Sequence, residues 1–445
     1  MTHSEQTTGL RRSLTLLDST MINVGTIIGS GIFLVPTTVA LYLESSSLVL
    51  GLWIVAGIVT LFGALSVAEL GAAMPKAGGQ FVYLREAYGP IWGFLYGWAT
   101  FAVINTGSIA AVAVAFASYF GNFVPLSPAE IKGVAISSIV FLTLLNCLGV
   151  KSGTRTQNLL TFMKVGALVG LVLVGLIMPG GNLSNFSPLF STHSFLSLAA
   201  PLGIAMVAIL WSYDGWIEIT YVAGEVKNPG RNIPLSLLLS TLTVIAVYIL
   251  VNFVYIYTLS IQNMAQSDFV AADSAMVVLG EKGGTLITIA ILVSTFGANN
   301  GFILTGARIY YAMAKEGLFF QSVSRVHSRF RTPVHSLLLQ GAWASVLTLT
   351  GTFEQLFTYV IFSSWFFYAM SCGAVLILRQ KKPDLHRPYK TWGYPWVPIV
   401  FIVFAVWLTL NTIVNDPRDS VIGAGIILLG LPAYFYWKRK KEAME

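Results

Sequence analysis

Apolar runs of about 20 residues recur along the whole chain, and each is long enough as a helix to cross the roughly 30 Å hydrocarbon core of a bilayer. Of the 445 residues, 55% are hydrophobic and only 10% are charged. A soluble protein of this length needs more charged residues to cover its surface. The sequence therefore predicts an all-α integral membrane protein and excludes soluble enzymes and nucleic-acid-binding domains.

Twelve apolar runs divide the chain into predicted membrane spans. These spans lie near 15–41, 48–73, 91–120, 132–150, 158–178, 198–223, 235–258, 284–314, 334–350, 354–378, 396–413 and 420–437. The segments outside them are a cytoplasmic N-terminal segment 1–14, an extracellular loop 179–197, a cytoplasmic loop 379–395 and a cytoplasmic tail 438–445. The polar start lacks a signal-peptide pattern, so we expect no cleavage there.

Most of the 26 lysine and arginine residues fall in alternate connections, on one side of the predicted spans. On the opposite side lie only Lys132, Lys282 and Arg418. Short loops rich in lysine and arginine stay in the cytoplasm. The charge distribution therefore predicts a multi-pass protein of the cell membrane with both termini in the cytoplasm.

Glycines interrupt the first and sixth predicted spans. Gly25, Gly29 and Gly31 lie close together in the first span, where three glycines cost a helix about 3 kcal/mol relative to alanine. In the sixth span, Asp214 precedes Gly215 about ten residues from the predicted cytoplasmic end. Paired interruptions at matching positions indicate the binding site of a transporter.

The two interruptions also reveal a repeat. Each lies in the first span of a block of five, 15–178 and 198–378. Because five is an odd number of crossings, the second block runs upside down relative to the first. An amphipathic cytoplasmic stretch at 75–89 follows the second span of the first block, and 263–283 occupies the equivalent place outside in the second block. The pattern predicts two inverted repeats followed by two peripheral helices.

Several sequence strings occur in an order that resembles one known family. They are Ile-Ile-Gly-Ser-Gly-Ile-Phe at 27–33, Ala-Glu-Leu-Gly at 68–71, Tyr-Asp-Gly-Trp at 213–216, Glu-Val-Lys-Asn-Pro at 225–229 and Ser-Thr-Phe-Gly at 294–297. The chain resembles the amino acid–polyamine–organocation superfamily, specifically the L-type amino acid transporter branch and its bacterial exchangers. The resemblance implies a LeuT-like, five-plus-five fold with helices 1 and 6 broken.

The resemblance also implies a substrate site at the two breaks. An amino acid's carboxylate would bind amides near Gly29, Ser30 and Gly31, because a helix start offers free N–H groups and glycine permits close approach. The substrate ammonium would bind carbonyls near Gly215, which the resemblance assigns to Ile27, Trp211 and Asp214. The alternative is that these glycines only allow close helix packing.

Two further side chains are assigned by the resemblance to the substrate. Trp211 matches a large aromatic residue that covers the bound substrate as an outer gate, and its alternative is a packing role. Ser108 corresponds to a polar position that lines the pocket for the substrate's side chain.

Lys164 lies within the fifth predicted span, where an unpaired ammonium costs several kcal/mol. In bacterial relatives, a lysine in this span lies where sodium-coupled members of the wider fold bind an ion. Its ammonium would then contact carbonyls of the broken first helix, and transport would not need sodium. The alternatives are that Lys164 snorkels to the interface or couples transport to protons.

Acidic residues within the spans leave other questions open. Asp214 has a structural hydrogen-bonding role or faces the substrate, while Glu218 departs from a glutamine common in close relatives. We expect Glu69 and Asp18 to pair with loop cations such as Arg85 or Lys76.

The chain shows no catalytic constellation, metal cluster or cofactor motif, and its five histidines lie outside the spans or at their ends. The two cysteines, Cys147 and Cys372, are predicted to pack in apolar surroundings. Animal members use a cysteine between spans three and four to bridge a glycoprotein, but 121–130 has none, so we expect no disulfide-linked subunit.

These features predict a sodium-independent exchanger of small neutral L-amino acids that works by alternating access. The alternatives are a proton-coupled symporter or a carrier of cationic amino acids or polyamines. A channel, which would transport without saturation, and an intramembrane enzyme are the competing classes. The preferred amino acid, the transport direction and the oligomeric state stay open.

Overall fold

The computed structural model describes residues 9–190, 195–350, 353–415 and 417–443. Within these ranges the chain is helical, and its only β-type pairings are two isolated bridges. The first nine helices are α1 (Leu16–Ile27), α2 (Gly31–Tyr42), α3 (Ser46–Ala73), α4 (Gln80–Tyr88), α5 (Pro90–Ala99), α6 (Asn105–Phe120), α7 (Pro128–Cys147), α8 (Val150–Ile177) and α9 (Phe195–Ser212). A π-helical turn, Thr100–Ile104, joins α5 to α6.

The second half of the chain is equally helical. It contains α10 (Pro229–Thr258), α11 (Ile261–Gln266), α12 (Val270–Leu279), α13 (Glu281–Lys315), α14 (Val334–Thr350), α15 (Phe353–Lys381), α16 (Trp396–Asn415), α17 (Pro417–Leu428) and α18 (Gly430–Glu442). Short 3₁₀ turns occur at Leu183–Phe186, Glu218–Thr220, Ala223–Glu225 and Gln321–Ser324.

Eight helical segments of the described residues are long and apolar enough to cross a membrane, which supports a multi-pass membrane protein. They are Ser46–Ala73, Pro90–Phe120, Pro128–Cys147, Val150–Ile177, Pro229–Thr258, Glu281–Lys315, Trp396–Asn415 and Ser420–Glu442. Helices α1 and α2 meet the same criterion together, across a bend of 41°, which makes up to nine. The sixth, ninth and tenth predicted spans correspond to α9, α14 and α15, which are not among these segments.

Both interrupted spans are broken where the glycines lie. Helix α1 ends at Ile27 and α2 begins at Gly31, so residues 28–30 form the first break. Helix α9 ends at Ser212, and residues 213–225 follow as turns and short 3₁₀ segments, which we call the second break. Gly215 has φ +93°, a backbone conformation that glycine adopts without steric cost.

The packing of the helices brings the two breaks together in the interior. Helix α1 packs against α8, α10 and α13, while α2 packs against α9. Residues 213–223 are buried throughout. Non-helical backbone at membrane depth is stable only where protein or a polar cavity surrounds it. The surrounding helices therefore supply the contacts that both breaks require.

A buried ion pair holds the end of the second break against α13. The Arg308 guanidinium Nε donates to Glu225 Oε1 at 2.7 Å, and both side chains are almost fully buried. The Glu225 carbonyl also accepts from the backbone N–H groups of Ser13 and Leu14, at 2.8 and 2.9 Å. The segment before α1 is therefore attached to the chain that follows the second break.

The prediction that Glu69 and Asp18 pair with Arg85 or Lys76 is wrong. Glu69 pairs with Arg379 at 2.6 Å and with Arg387 at 3.2 Å, rather than with Arg85 or Lys76. These arginines come from the end of α15 and the following loop, which fold back over α3. Arg85 instead pairs with Glu86 and Glu316.

Asp18 likewise has a local role. Its side chain accepts hydrogen bonds from the backbone and hydroxyl of Thr15 at 2.9 and 2.8 Å, which completes a capping box at the start of α1. Its other oxygen accepts from the Asn158 amide at 2.7 Å.

We expect Arg308→Ala to lower thermal stability strongly, because it leaves the buried Glu225 carboxylate without its cation, at a cost of about 3–5 kcal/mol. The measurement is the unfolding temperature of the purified protein in detergent. The control is Lys382→Ala, which removes the ion pair between Lys382 and Glu86. The Lys382 side chain is 45% exposed. That change should cost less than about 1 kcal/mol. Equal unfolding temperatures for the two variants would contradict a structural role for the buried pair.

Candidate binding site at the two helix breaks

A narrow central cavity of about 20 Å³ lies between the two breaks. Its lining includes six residues that the sequence places in a substrate site: Ile27, Gly29, Ser30, Gly31, Trp211 and Asp214. Thr26, Ser212, Val112 and Phe302 complete the lining. Val112 comes from α6 and Phe302 from α13, so the cavity is enclosed by four separate parts of the chain.

Two glycines allow the breaks to approach each other. A Cβ atom on Gly31 would lie 2.5 Å from the Ser212 hydroxyl oxygen and 2.8 Å from its Cα. A Cβ atom on Gly215 would lie 3.1 Å from the carbonyl carbon of Thr26. Gly29 differs, because the nearest atom to its Cβ position is the Ala298 Cβ at 3.6 Å, an ordinary contact. Gly31 and Gly215 therefore serve the packing of the breaks, while a methyl group at position 29 would have room beside Ala298.

Two hydroxyl groups in the cavity lining have no protein partner. The Oγ atoms of Ser30 and Ser212 are buried without a hydrogen bond to any part of the chain that the structure describes. A buried hydroxyl without a partner costs about 1–3 kcal/mol. Helix α2 begins at Gly31, and the first N–H groups of a helix have no acceptor within the helix itself. The cavity therefore offers polar groups that a polar ligand satisfies.

Lys164 binds the first break from the side of α8. Its ammonium donates to the carbonyl oxygens of Gly25 at 2.9 Å, Ile28 at 2.7 Å and Ser294 at 2.7 Å. The residue is 1% exposed. Its ammonium thus points to interior carbonyls, and not to a membrane surface as snorkelling requires. The Ser294 hydroxyl on α13 lies 3.1 and 3.0 Å from the carbonyls of Ile28 and Gly29.

Sequence reasoning missed two residues that join the breaks. The Tyr248 hydroxyl on α10 contacts the carbonyls of Ile27 at 3.1 Å and Ser212 at 2.9 Å. Asn23 on α1 donates to the Trp216 carbonyl at 2.8 Å and accepts from the N–H of Ile219 at 2.9 Å. An asparagine within an apolar run indicates that its amide has a buried hydrogen-bond partner. A tyrosine in such a run gives no comparable indication.

Asp214 faces the central cavity with a partner of its own. Its Oδ1 accepts a hydrogen bond of 2.6 Å from the Tyr368 hydroxyl on α15. Its backbone N–H donates to the Trp211 carbonyl at 3.1 Å. The aspartate therefore supports the second break and also presents a carboxyl group to the cavity.

The structure places Ser108 away from the cavity lining. Its hydroxyl donates to the Ile104 carbonyl at 2.8 Å on its own helix. Val112, one helical turn further along α6, lines the cavity instead. The wall at this point is apolar, as it is at Phe302.

Broken helices around a buried polar cavity, within a bundle of membrane-spanning helices, define a membrane transporter. The amino acid permease family model matches residues 14–435. The serine/threonine exchanger SteT of Bacillus subtilis (strain 168) is 34% identical, and the alignment covers 99% of this chain and 100% of the relative. The b(0,+)-type amino acid transporter 1 of Homo sapiens is 33% identical, with 98% and 90% covered. The cystine/glutamate transporter of Homo sapiens is 31% identical, with 97% and 87% covered.

The chain therefore belongs to the amino acid permease family of the amino acid–polyamine–organocation superfamily. Its relatives are amino acid transporters and exchangers, not enzymes.

We expect Gly31→Ala to destabilise the protein by about 1–3 kcal/mol, because the new methyl group overlaps Ser212. Gly29→Ala is the matched control, since its methyl group meets only Ala298 at an ordinary distance. Unfolding temperatures measured without substrate should fall for Gly31→Ala and stay unchanged for Gly29→Ala. The reverse order would show that the breaks do not touch at Gly31.

Proposed function

We propose that this transporter is a sodium-independent exchanger of small neutral L-amino acids that works by alternating access. The observation that carries the proposal is the position of the Lys164 ammonium, which donates to three carbonyl oxygens beside the first break. Unwound carbonyls in such folds bind coupling cations. Because a fixed ammonium already occupies these oxygens, the carrier needs no sodium ion to hold the break together.

The substrate lies in the central cavity in this proposal. Its carboxylate binds at Gly29, Ser30 and Gly31, where α2 begins and the Ser30 hydroxyl lacks a partner. Its ammonium binds near the carbonyls of Ile27 and Trp211 and near Asp214.

The cavity walls set the size of the substrate side chain. Val112 and Phe302 present apolar groups, and the Ser212 hydroxyl is available to a small polar side chain. The relative from Bacillus subtilis is named a serine/threonine exchanger, which agrees with a short side chain. Trp211 covers the bound substrate as the outer gate, and Ser108 supports α6 one turn from the cavity.

The proposed topology has twelve spans. The bent pair α1–α2 is one span, and α9, α14 and α15 join the eight longer segments. Residues 15–178 and 198–378 form the two inverted repeats, and 396–437 the peripheral helices. Both termini are cytoplasmic in this arrangement, with 1–14, 379–395 and 438–445 in the cytoplasm and 179–197 outside. No disulfide-linked subunit is part of the proposal, since Cys372 is buried and Cys147 half-buried.

Exchange follows from differential stabilisation. A substrate that contacts both breaks stabilises the closed arrangement, in which the hydroxyls of Ser30 and Ser212 have partners. The empty carrier reaches that arrangement poorly, because those groups are then buried and unpaired. The return step is therefore fast only when the site is loaded.

One observation favours a second candidate, a carrier of cationic amino acids or polyamines. Asp214 lines the central cavity, and within the described ranges its carboxyl group forms no salt bridge with a lysine or arginine. A carboxylate in that position attracts a cationic side chain or a diamine.

Counterflow of labelled serine into liposomes separates these candidates. We expect unlabelled serine, threonine or alanine inside to accelerate uptake at equal pH on both sides, and replacement of sodium by choline to leave the rate unchanged. Acceleration by lysine or putrescine alone would contradict a neutral substrate range. Uptake without saturation or trans-stimulation would indicate a channel.

We expect Lys164→Ala to reduce counterflow more than tenfold, because the carbonyls of Gly25, Ile28 and Ser294 lose their common donor. The matched control is Lys132→Ala, a lysine near the start of α7 that donates to the Leu349 carbonyl at 2.9 Å, away from the breaks. Its counterflow should equal that of the unchanged carrier. Full activity of Lys164→Ala would exclude the ammonium as the substitute for a bound cation.

A further inference from the structure

Glu218 is a buried carboxyl group that the proposed transport mechanism does not use. It begins a 3₁₀ turn in the second break and is 5% exposed. Its Oε2 is hydrogen-bonded to the Thr305 hydroxyl on α13. It follows Asp214 by four residues in the same segment.

The buried cations of the protein are bound elsewhere. Lys164 donates to three backbone carbonyls, and Arg308 pairs with Glu225. Arg379 forms a salt bridge with Glu69. Among the described residues no lysine, arginine or histidine forms a salt bridge with Glu218. A carboxylate charge buried without a cation costs several kcal/mol, so this arrangement favours the neutral form of the group.

The other ionisable groups close enough to act on Glu218 do not supply a hydrogen to it. They are Asp214, Tyr96 on α5, Tyr221 in the second break, Tyr310 on α13 and Tyr368 on α15. Each tyrosine hydroxyl has another acceptor within hydrogen-bond distance.

These acceptors account for the hydrogens of all four hydroxyls. The hydroxyls of Tyr96 and Tyr221 lie 2.8 Å from each other and 2.8 and 2.9 Å from the acceptor Gln80 Oε1, so both hydrogens are used within this group. Tyr310 donates to the carbonyl of Thr100 at 3.2 Å, and Tyr368 donates to Asp214 at 2.6 Å.

The Thr305 hydroxyl is compatible with a proton on Glu218. Its hydroxyl lies 2.9 Å from the Gly301 carbonyl, the acceptor one turn earlier in α13. A threonine hydroxyl has one hydrogen and two lone pairs. The hydroxyl hydrogen points either to Glu218 Oε2 or to the Gly301 carbonyl. In the second arrangement the contact with Glu218 needs a hydrogen on the carboxyl group, and the burial of Glu218 without a cation favours that arrangement.

We propose that Glu218 is a proton-binding site of the transport cycle, and that its carboxylic acid donates to Thr305 while the two breaks are closed around the central cavity. When the second break opens to water, the proton leaves to the solvent. The carboxylate left behind must be reprotonated before the breaks close again. A proton therefore accompanies the amino acid through the closed arrangement, in either direction of exchange.

The proposal rests on the exchange function above and predicts a pH dependence with a definite sign. Only carriers with a protonated Glu218 close, so counterflow falls as pH rises. The rate should drop about tenfold per pH unit once the pH exceeds the point at which Glu218 loses its proton in the open form.

Glu218→Gln is the direct test, because the amide keeps a donor for Thr305 and cannot ionise. We expect counterflow near the acidic-pH rate of the unchanged carrier, with a flat profile from about pH 5 to pH 9. The control Glu442→Gln removes an exposed carboxyl group on α18 and should keep the original profile. An unaltered pH profile in Glu218→Gln would overturn the proposal, as would a folded variant inactive at every pH.

A second measurement does not depend on transport. Infrared difference spectra of the purified carrier, with and without serine, should contain the C=O stretching band of a protonated carboxylic acid. That band should shift in deuterium oxide and be missing in Glu218→Gln. Its persistence in the variant would assign the proton to another group and overturn the proposal. Absence of counterflow in the unchanged carrier, with the infrared band present, would count against the exchange function alone.

Discussion

Peptide groups freed from a helix inside a bilayer must find partners, because lipid offers none. This constraint determines how the rest of the structure is arranged. Lys164 and Ser294 bind carbonyls of the first break, Asn23 binds both a carbonyl and an N–H of the second, and Tyr248 bridges the two. Four long-range side chains thus take the place of intrahelical hydrogen bonds. The helices that carry them are α1 itself and the three that pack against it, α8, α10 and α13.

The sequence predicts the breaks themselves well, for a physical reason. Clustered glycines weaken a helix whatever surrounds them, so their effect is readable locally. Lys164 is equally readable, since an ammonium within an apolar run needs an explanation. Ser294 carries no such signal, because a serine hydroxyl in a helix commonly bonds its own backbone. Tyr248 carries none because it is one of 18 tyrosines in the chain, several of them in apolar runs. Their roles depend on which helices become neighbours.

Other differences between expectation and structure come from distance along the chain. Glu69 is expected to pair with cations in the next loop, yet its partners Arg379 and Arg387 lie more than 300 residues further on, at the end of α15 and in the loop that follows. Ser108 was assigned to the substrate pocket, yet Val112 reaches the cavity. A shift of one turn along α6 decides which side chain lines the wall, and sequence spacing alone does not fix that rotation.

The attachment of the segment before α1 has a practical meaning. Ser13 and Leu14 donate to the Glu225 carbonyl, and the Lys227 N–H donates back to the Leu14 carbonyl. These hydrogen bonds join the two stretches, and Leu14 and Val226 are buried where they meet. Any rearrangement that swings the end of the second break must carry the N-terminal residues with it. A fluorophore attached to the N-terminal segment would therefore report movement of the second break.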